Sequence, residues 1–378
     1  MKCRRLFAVL GLASAVLMPG MVARGQDQAV KAVVPNRTLR LPEVPYSYAS
    51  TTHWPAHFKA SARRTDNTPT NNRITDEGAT LGRVIFYDKR LSSNNSTACA
   101  SCHQQKNAFA DPRRFSKGHT NLETDRHAPT IANVRFYTRG KFFWDERAAT
   151  LEQQVLMPIQ SKLEMGQDLE SVLKMMREDA AYPELFKKAF GDTEINSQRM
   201  SKALAQWVRS LVSCESKFDI GFAKTEDIDR PFPNFSTQEN RGRQIFSNRC
   251  ATCHLQGGNT AGFFMNAPRN NGLDLSIKTS DGGVGVITLN RNQMGLFKSP
   301  SLRNVELTGP YMHDGRFDTL EKVIDHYNTG VKNHPNADGR LRGRLNLSVQ
   351  DKANLVAFLK TLTDQNFITD PKFSDPFQ

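Results

Sequence analysis

Cys99-Ala100-Ser101-Cys102-His103 and Cys250-Ala251-Thr252-Cys253-His254 repeat one pattern, C-x-x-C-H, about 150 residues apart. The spacing has a chemical reading. Two thiols separated by two residues reach the two vinyl groups of one haem and form thioethers. The adjacent histidine then projects under the iron as its proximal ligand. A four-cysteine zinc ribbon keeps its pairs much closer together. Neither two short disulfides nor a redox dithiol requires histidine at both fifth positions. The motifs therefore imply two covalently bound haem c groups, one on Cys99, Cys102 and His103, the other on Cys250, Cys253 and His254.

The start of the chain agrees with this chemistry. Lys2, Arg4 and Arg5 precede an apolar run from Leu6 to Val22, broken by Pro19, and Ala23-Arg24-Gly25 offers small residues for cleavage. That is the pattern of a secretory signal peptide over 1–25, with an uncleaved membrane anchor as its competitor. Haem c is attached outside the cytoplasmic membrane, so a periplasmic location is expected. Cleavage removes Lys2, Arg4, Arg5 and Arg24 and no acidic residue, taking the net charge from +13 to +9. A basic surface of that size suits an acidic redox partner as well as plain solvation. Nucleic acid is not an expected partner for an exported haem protein.

The length of 378 residues predicts two domains. Apolar residues make up 38%, with 24 glycines besides, which is an ordinary globular composition and excludes a disordered or collagen-like chain. Of the six cysteines, Cys3 leaves with the signal. Cys214 lies in a helical pattern and reads as a buried, small apolar residue.

A weak internal repeat frames the two motifs. Leu81-Gly82-Arg83-Val84-Ile85-Phe86 precedes the first, and Arg241-Gly242-Arg243-Gln244-Ile245-Phe246 precedes the second. Both read as amphipathic helices leading into a haem loop, and Ser236-Thr237-Gln238-Glu239 is a capping box that starts the second. Further helices are predicted over 148–156, 168–190, 197–213, 319–328 and 349–362, the last capped by Ser348 with Asp351. Residues 26–70 read as an extended arm or linker. Residues 255–300 read as loop over the second haem, with short paired strands near 284–289. The expected fold is mostly α: two cytochrome-c-like haem domains in one chain, over 71–225 and 226–378, with long irregular loops.

Four further groups of residues carry a family resemblance: Arg126-His127-Ala128-Pro129-Thr130; Phe143-Trp144-Asp145-Glu146-Arg147-Ala148; Pro158 through Glu164-Met165-Gly166; and Pro300-Ser301-Leu302-Arg303-Asn304-Val305 continuing to Pro310-Tyr311-Met312-His313-Asp314-Gly315. With the two haem motifs between them, the chain resembles the bacterial di-haem cytochrome c peroxidase and MauG superfamily over roughly 70–365. The resemblance implies that peroxide reacts at the N-terminal haem. It implies a displaceable distal histidine there, for which His119 stands at the matching place. It implies a distal glutamine and glutamate ten and twenty residues after the tryptophan, here Gln154 and Glu164. Glu164 would carry a proton between the peroxide oxygens, and Gln154 would orient the peroxide or a water. Trp144 aligns with the tryptophan between the haems, an electron relay. The family glycine after the Trp-Asp pair is Glu146 here.

The second haem carries a departure. The best-known peroxidases have methionine fourteen residues after the histidine of the Tyr-x-His-Asp-Gly motif, and that position is Tyr327, as in the MauG branch. A phenolate ligand stabilises ferric iron, whereas methionine raises the potential. Met294 and Met312 are alternative ligands nearby. The resemblance also implies an inter-domain calcium ion, with Thr308 and Pro310 matching two of its ligands. His127 stands where the third is usually asparagine; a hard cation prefers oxygen, which the His127 backbone carbonyl could supply, as backbone oxygens do for most of the site.

Two covalent haems by themselves say electron transfer or haem redox catalysis. With the resemblance, the leading expectation is an exported peroxidase that reduces hydrogen peroxide to water. Its electrons come from a small donor, a cytochrome c or a copper protein, through the C-terminal haem. The alternatives are a MauG-like enzyme that oxidises residues of a partner protein through high-valent haems, and a non-enzymatic electron carrier. Homodimers are common in the peroxidase branch, and no feature of the sequence bears on that.

Overall fold

The computed structural model describes residues 38–255, 262–278, 281–341, 343 and 345–377. The signal peptide expected over 1–25 and the start of the arm lie outside these residues. Among the described residues no helix is long and apolar enough to cross a membrane.

The internal repeat decides the packing. In chain order, α1 is Ala56–Thr65, α2 Asp76–Tyr87, α3 Cys99–Cys102, α4 Leu151–Gln154, α5 Met157–Gln160, α6 Leu169–Glu178, α7 Tyr182–Phe190 and α8 Ser197–Ser210. Then follow α9 Lys217–Thr225, α10 Thr237–Arg249, α11 Ala251–His254, β1 Asn266–Arg269, α12 Val284–Thr288, β2 Phe297–Ser299, α13 Leu320–Asp325, α14 Val349–Lys360 and α15 Gln365–Thr369. Helix α2 packs on α8, and α10 packs on α14. The repeated glycine explains both contacts. A Cβ on Gly82 would lie 2.1 Å from the Ala203 carbonyl, and one on Gly242 would lie 1.9 Å from that of Asn354. Only glycine lets the two backbones approach so closely. The repeated arginine and phenylalanine are buried in both copies: Arg83, Phe86, Arg243 and Phe246.

The two helix pairs anchor two apolar cores. The first gathers Leu81, Ile85, Phe86, Leu204 and Trp207 with Phe109 and Phe186. The second gathers Phe218, Phe222, Phe246, Phe263 and Phe358. The end of the chain, numbered with the second domain, packs on the first core through Phe367 and Phe373. Arg83 Nε donates to the Ser374 carbonyl at 2.7 Å and Tyr87 Oη to that of Phe373 at 2.7 Å. A smaller cluster of Trp54, Phe58, Ala62, Phe136, Cys214 and Phe264 draws on both halves, with Cys214 buried as expected.

The predicted capping boxes at Ser236–Glu239 and Ser348–Asp351 are both formed. Four expectations need correction. The arm over 26–70 contains α1, which turns Phe58, Ser61 and Ala62 inward at helical spacing. The stretch 168–190 is two helices. Asp179 ends α6, and its carboxylate accepts from the N–H groups of Ala181 and Tyr182, starting α7 with Pro183 in its first turn. The stretch 148–156 holds only the short α4, and a separate helix, α5, follows it with Pro158 in its first turn. Finally, 284–289 is helical, and the strand pair is instead β1 with β2, antiparallel and irregular in register. Val284, Val286 and Thr288 alternate as in a strand, whereas Val284, Ile287 and Thr288 fall at helical spacing, so this short run satisfies either period.

Candidate functional site

The first motif opens onto a cavity of about 680 Å³, within the range of ligand pockets. Cys99, Cys102 and His103 line it, and so do Trp144, Gln154 and Glu164, which come from three separate segments. Helix α3 holds the two thiols one turn apart, and His103 follows it. Its Nδ1–H donates to the Phe109 carbonyl at 2.9 Å, which fixes the tautomer and leaves Nε2 as a free ligand. Burial holds the His103 imidazole below its usual pKa, so it is neutral and able to bind a metal. The thiols are free, and burial pushes them up to about 12 for Cys99 and about 11 for Cys102. Free thiols, a neutral imidazole with one open nitrogen and a large cavity between them fit a covalently attached haem.

Glu164 lines the same cavity. Burial raises its carboxyl above the usual range, opposed by the nearby Arg147 and a hydrogen bond from Ser161. A carboxyl in that state exchanges a proton more readily near neutral pH than an exposed one does. Trp144 is buried, and its indole N–H donates to the His127 carbonyl at 2.8 Å. Arg126, also in the lining, pairs with Asp145 at 2.6 Å and with Asp281 at 2.8 Å. Gly118 lines the cavity and His119 does not. The His119 ring packs on Gly166, and the His119 backbone N–H donates to the Glu164 carbonyl at 2.7 Å.

The second motif is built in the same manner. Helix α10 runs into Cys250, and His254 ends α11. Burial takes the His254 imidazole down to about 4. Tyr327 lies in a π-helical turn, His326–Gly330, that continues α13. Such turns recur at functional sites. Burial raises the Tyr327 phenol, and the thiols of Cys253 and Cys250 are close enough to raise it further. Asn271 Nδ2 donates to Met312 Sδ at 3.3 Å and reaches Tyr327 Oη at 3.5 Å. Two of the three ligand candidates, Tyr327 and Met312, therefore meet around one amide. The third, Met294, lies against Gly282. The free thiols of Cys250 and Cys253 and the neutral His254 imidazole are the groups that would hold a haem here.

The calcium set fits less well. The His127 carbonyl already accepts from Trp144, and its Nε2–H donates to the Asp111 carbonyl at 2.8 Å. The Thr308 hydroxyl donates to Val305 at 3.4 Å. Pro310 can offer only its carbonyl. Such an ion would have to be held by backbone carbonyls, and no step below involves one.

Sequence reasoning missed Asn271, Lys298, Tyr137 and Asp281. None stands in a motif with a chemical spacing. Only Lys298, two residues before Pro300, adjoins a recognisable segment.

Comparison with known proteins agrees with this construction. The family described as di-haem cytochrome c peroxidase matches residues 76–227, and that described as cytochrome c matches 239–363. The methylamine utilization protein MauG of Methylophilus methylotrophus is 32% identical over 324 residues, covering 82% of this chain and 91% of its own. The cytochrome c551 peroxidase of Nitrosomonas europaea is 33% identical over 288 residues, covering 75% and 79%. The crystal structure of a MauG-like protein associated with microbial copper homeostasis superposes with a TM-score of 0.74 at 34% identity, covering 82% of this chain and 96% of that one.

Proposed function

Since the chain belongs to the di-haem cytochrome c peroxidase and MauG family, whose members carry two haem c groups, we propose that it is an exported enzyme that reduces hydrogen peroxide at the first motif. Its electrons come from a small redox protein by way of the second motif. One observation carries this reading: Glu164, raised by burial, shares a cavity with Cys99, Cys102 and His103. An electron carrier has no use for a buried carboxyl beside its cofactor.

Bound there, haem c supplies the redox chemistry that breaks the O–O bond. Cys99 and Cys102 would hold it through thioethers, and His103 would ligate it through Nε2. As carboxylate, Glu164 takes the proton from one peroxide oxygen and gives it to the other, which leaves as water. The Gln154 amide, with one donor and one acceptor face, orients the peroxide. Trp144, fixed by its bond to His127, is the relay between the cavity and the second motif. His119, which packs on Gly166 outside the cavity lining, would have to turn inward to act as a displaceable ligand, and its backbone bond to the Glu164 carbonyl means that a shift of one is felt by the other.

Tyr327 favours a second reading, oxidation of residues on a partner protein. A phenolate ligand would keep the second iron ferric and make it a poor high-potential electron store. Stopped-flow absorbance after peroxide addition separates the two. Rapid reaction of the half-reduced form alone supports the peroxidase. Immediate reaction of the fully oxidised form, giving a long-lived oxidised state, supports protein oxidation. Absence of reaction in both forms contradicts both readings.

A further inference from the structure

Behind the cavity wall lies a phenol that the mechanism above leaves unused. Tyr137 is fully buried, and its O–H donates to Glu146 Oε1. Arg139 holds the same carboxylate by two bonds of 2.7 Å, from Nε to Oε1 and from Nη2 to Oε2. The Arg139 side chain is 45% exposed, so it carries this cluster to the surface. On the other side, Lys298 Nζ lies 5.2 Å from the centre of the Tyr137 ring and 5.6 Å from that of Phe142. Lys298 and Phe142 both line the cavity, and the Lys298 N–H donates to the Trp144 carbonyl at 2.8 Å. Tyr137 is thus one side chain removed from the cavity and shares a neighbour with Trp144.

Glu146 is held at a cost. Its φ is 59°, in the left-handed region that favours glycine. Strain of this kind is kept where the side chain has a task that the surroundings enforce. Here the side chain is turned to receive the Tyr137 proton. That matters for oxidation. Removing an electron alone from a buried phenol would leave an unsolvated cation, which is costly. If the proton moves at the same time, the ring stays neutral. An oxidised phenol is a strong acid, so even a carboxylate held low by Arg139 accepts its proton.

We propose that Tyr137 is a relay residue that gives one electron to the oxidised first site and its proton to Glu146, moving an oxidising equivalent from the cavity toward the Arg139 face. The relay rests on the peroxide reaction proposed above. Peroxide is the oxidant, and its reduction to two waters takes two electrons and two protons. One electron comes from Tyr137, whose O–H bond breaks, and the other from Trp144 or the second site. The two protons at the cavity come from solvent through Glu164. An external donor, a redox protein or an oxidisable side chain of a partner, returns the electron to Tyr137. Glu146 then returns the proton.

The test is freeze-quench electron paramagnetic resonance of the holoprotein after mixing with hydrogen peroxide, with and without ring-deuterated tyrosine. The expected result is a radical signal that narrows on deuteration and is absent in Tyr137→Phe. Glu146→Gln keeps an acceptor oxygen but loses the proton acceptor, and the signal should fall there too. Unchanged haem absorbance in both variants checks that they are folded. Peroxide consumption with no tyrosine-derived signal overturns the relay alone, as does a signal retained in Tyr137→Phe. A wild type that consumes no peroxide overturns the proposed reaction and the relay with it.

Discussion

His119 and Glu164 are joined at one carbonyl: the His119 N–H donates to the Glu164 oxygen at 2.7 Å, and Nδ1 of its ring lies 3.3 Å from the same atom. The residue expected to gate the first site and the residue expected to move its proton are therefore one mechanical unit. Gly166 completes it, since a Cβ there would lie 2.3 Å from His119 Cε1, at a φ of 61°.

Gly166→Ala should displace the His119 ring and strain the backbone. The left-handed conformation alone costs about 1–2 kcal/mol for a residue with a Cβ. A lowered denaturant midpoint and an altered first-haem absorption spectrum are expected together. Loss of stability without any spectral change would separate His119 from the iron.

Asp219 and Arg303 form a buried pair at 2.7 and 2.9 Å, neither more than 1% exposed, and His57 adds a contact to Asp219 at 3.0 Å. Arg303→Leu leaves Asp219 as an uncompensated buried charge, at a cost of about 3–5 kcal/mol in chemical unfolding. The pH dependence follows from the sign of the shift. The Asp219 carboxyl is lowered from 3.8 to about 2, chiefly by the Arg303 charge acting against burial. Its contribution is full above the unfolded value and is lost as pH falls through the folded one. Unfolding at pH 5 and at pH 2.5 should therefore show a stability loss in the wild type that is smaller in Arg303→Leu.

Much of the scaffold was legible because a chemical or steric demand repeats. The two C-x-x-C-H motifs, the paired Gly82 and Gly242, and the boxes at Ser236 and Ser348 each announce a local requirement. Trp144, Gln154 and Glu164 were found by resemblance and do share a cavity with the first motif. What escaped depends on distant contacts. Helix α1 shows three basic residues along its length, and its inward face is decided by Trp54, Phe136 and Phe264. Lys298 resembles a surface lysine until Tyr137 and Phe142 enclose it, and burial then takes it down to about 8. Asn271 has meaning only once Tyr327 and Met312 stand on either side of it.

Tyr327→Met tests the second site. If the tyrosine ligates, the substitution should raise the second-haem reduction potential by a sizeable part of the roughly 0.8 V that axial ligands span. A spectroelectrochemical titration reads this directly. An unchanged potential would give the ligand role to Met312 or to no side chain of this cluster.

The central claim is that Glu164 moves the peroxide proton, and Glu164→Gln tests it most directly. The carboxylate is the working form, and burial raises its pKa, so the wild-type rate should fall as pH drops through a value above 4.5. Stopped-flow mixing of peroxide with each protein, in whichever oxidation state reacts faster, measures the first bond-breaking step. A rate lower by about 10²–10⁴-fold in Glu164→Gln, with the pH dependence abolished and both haems still attached, is the predicted result. A rate and pH profile equal to those of the wild type would contradict the account.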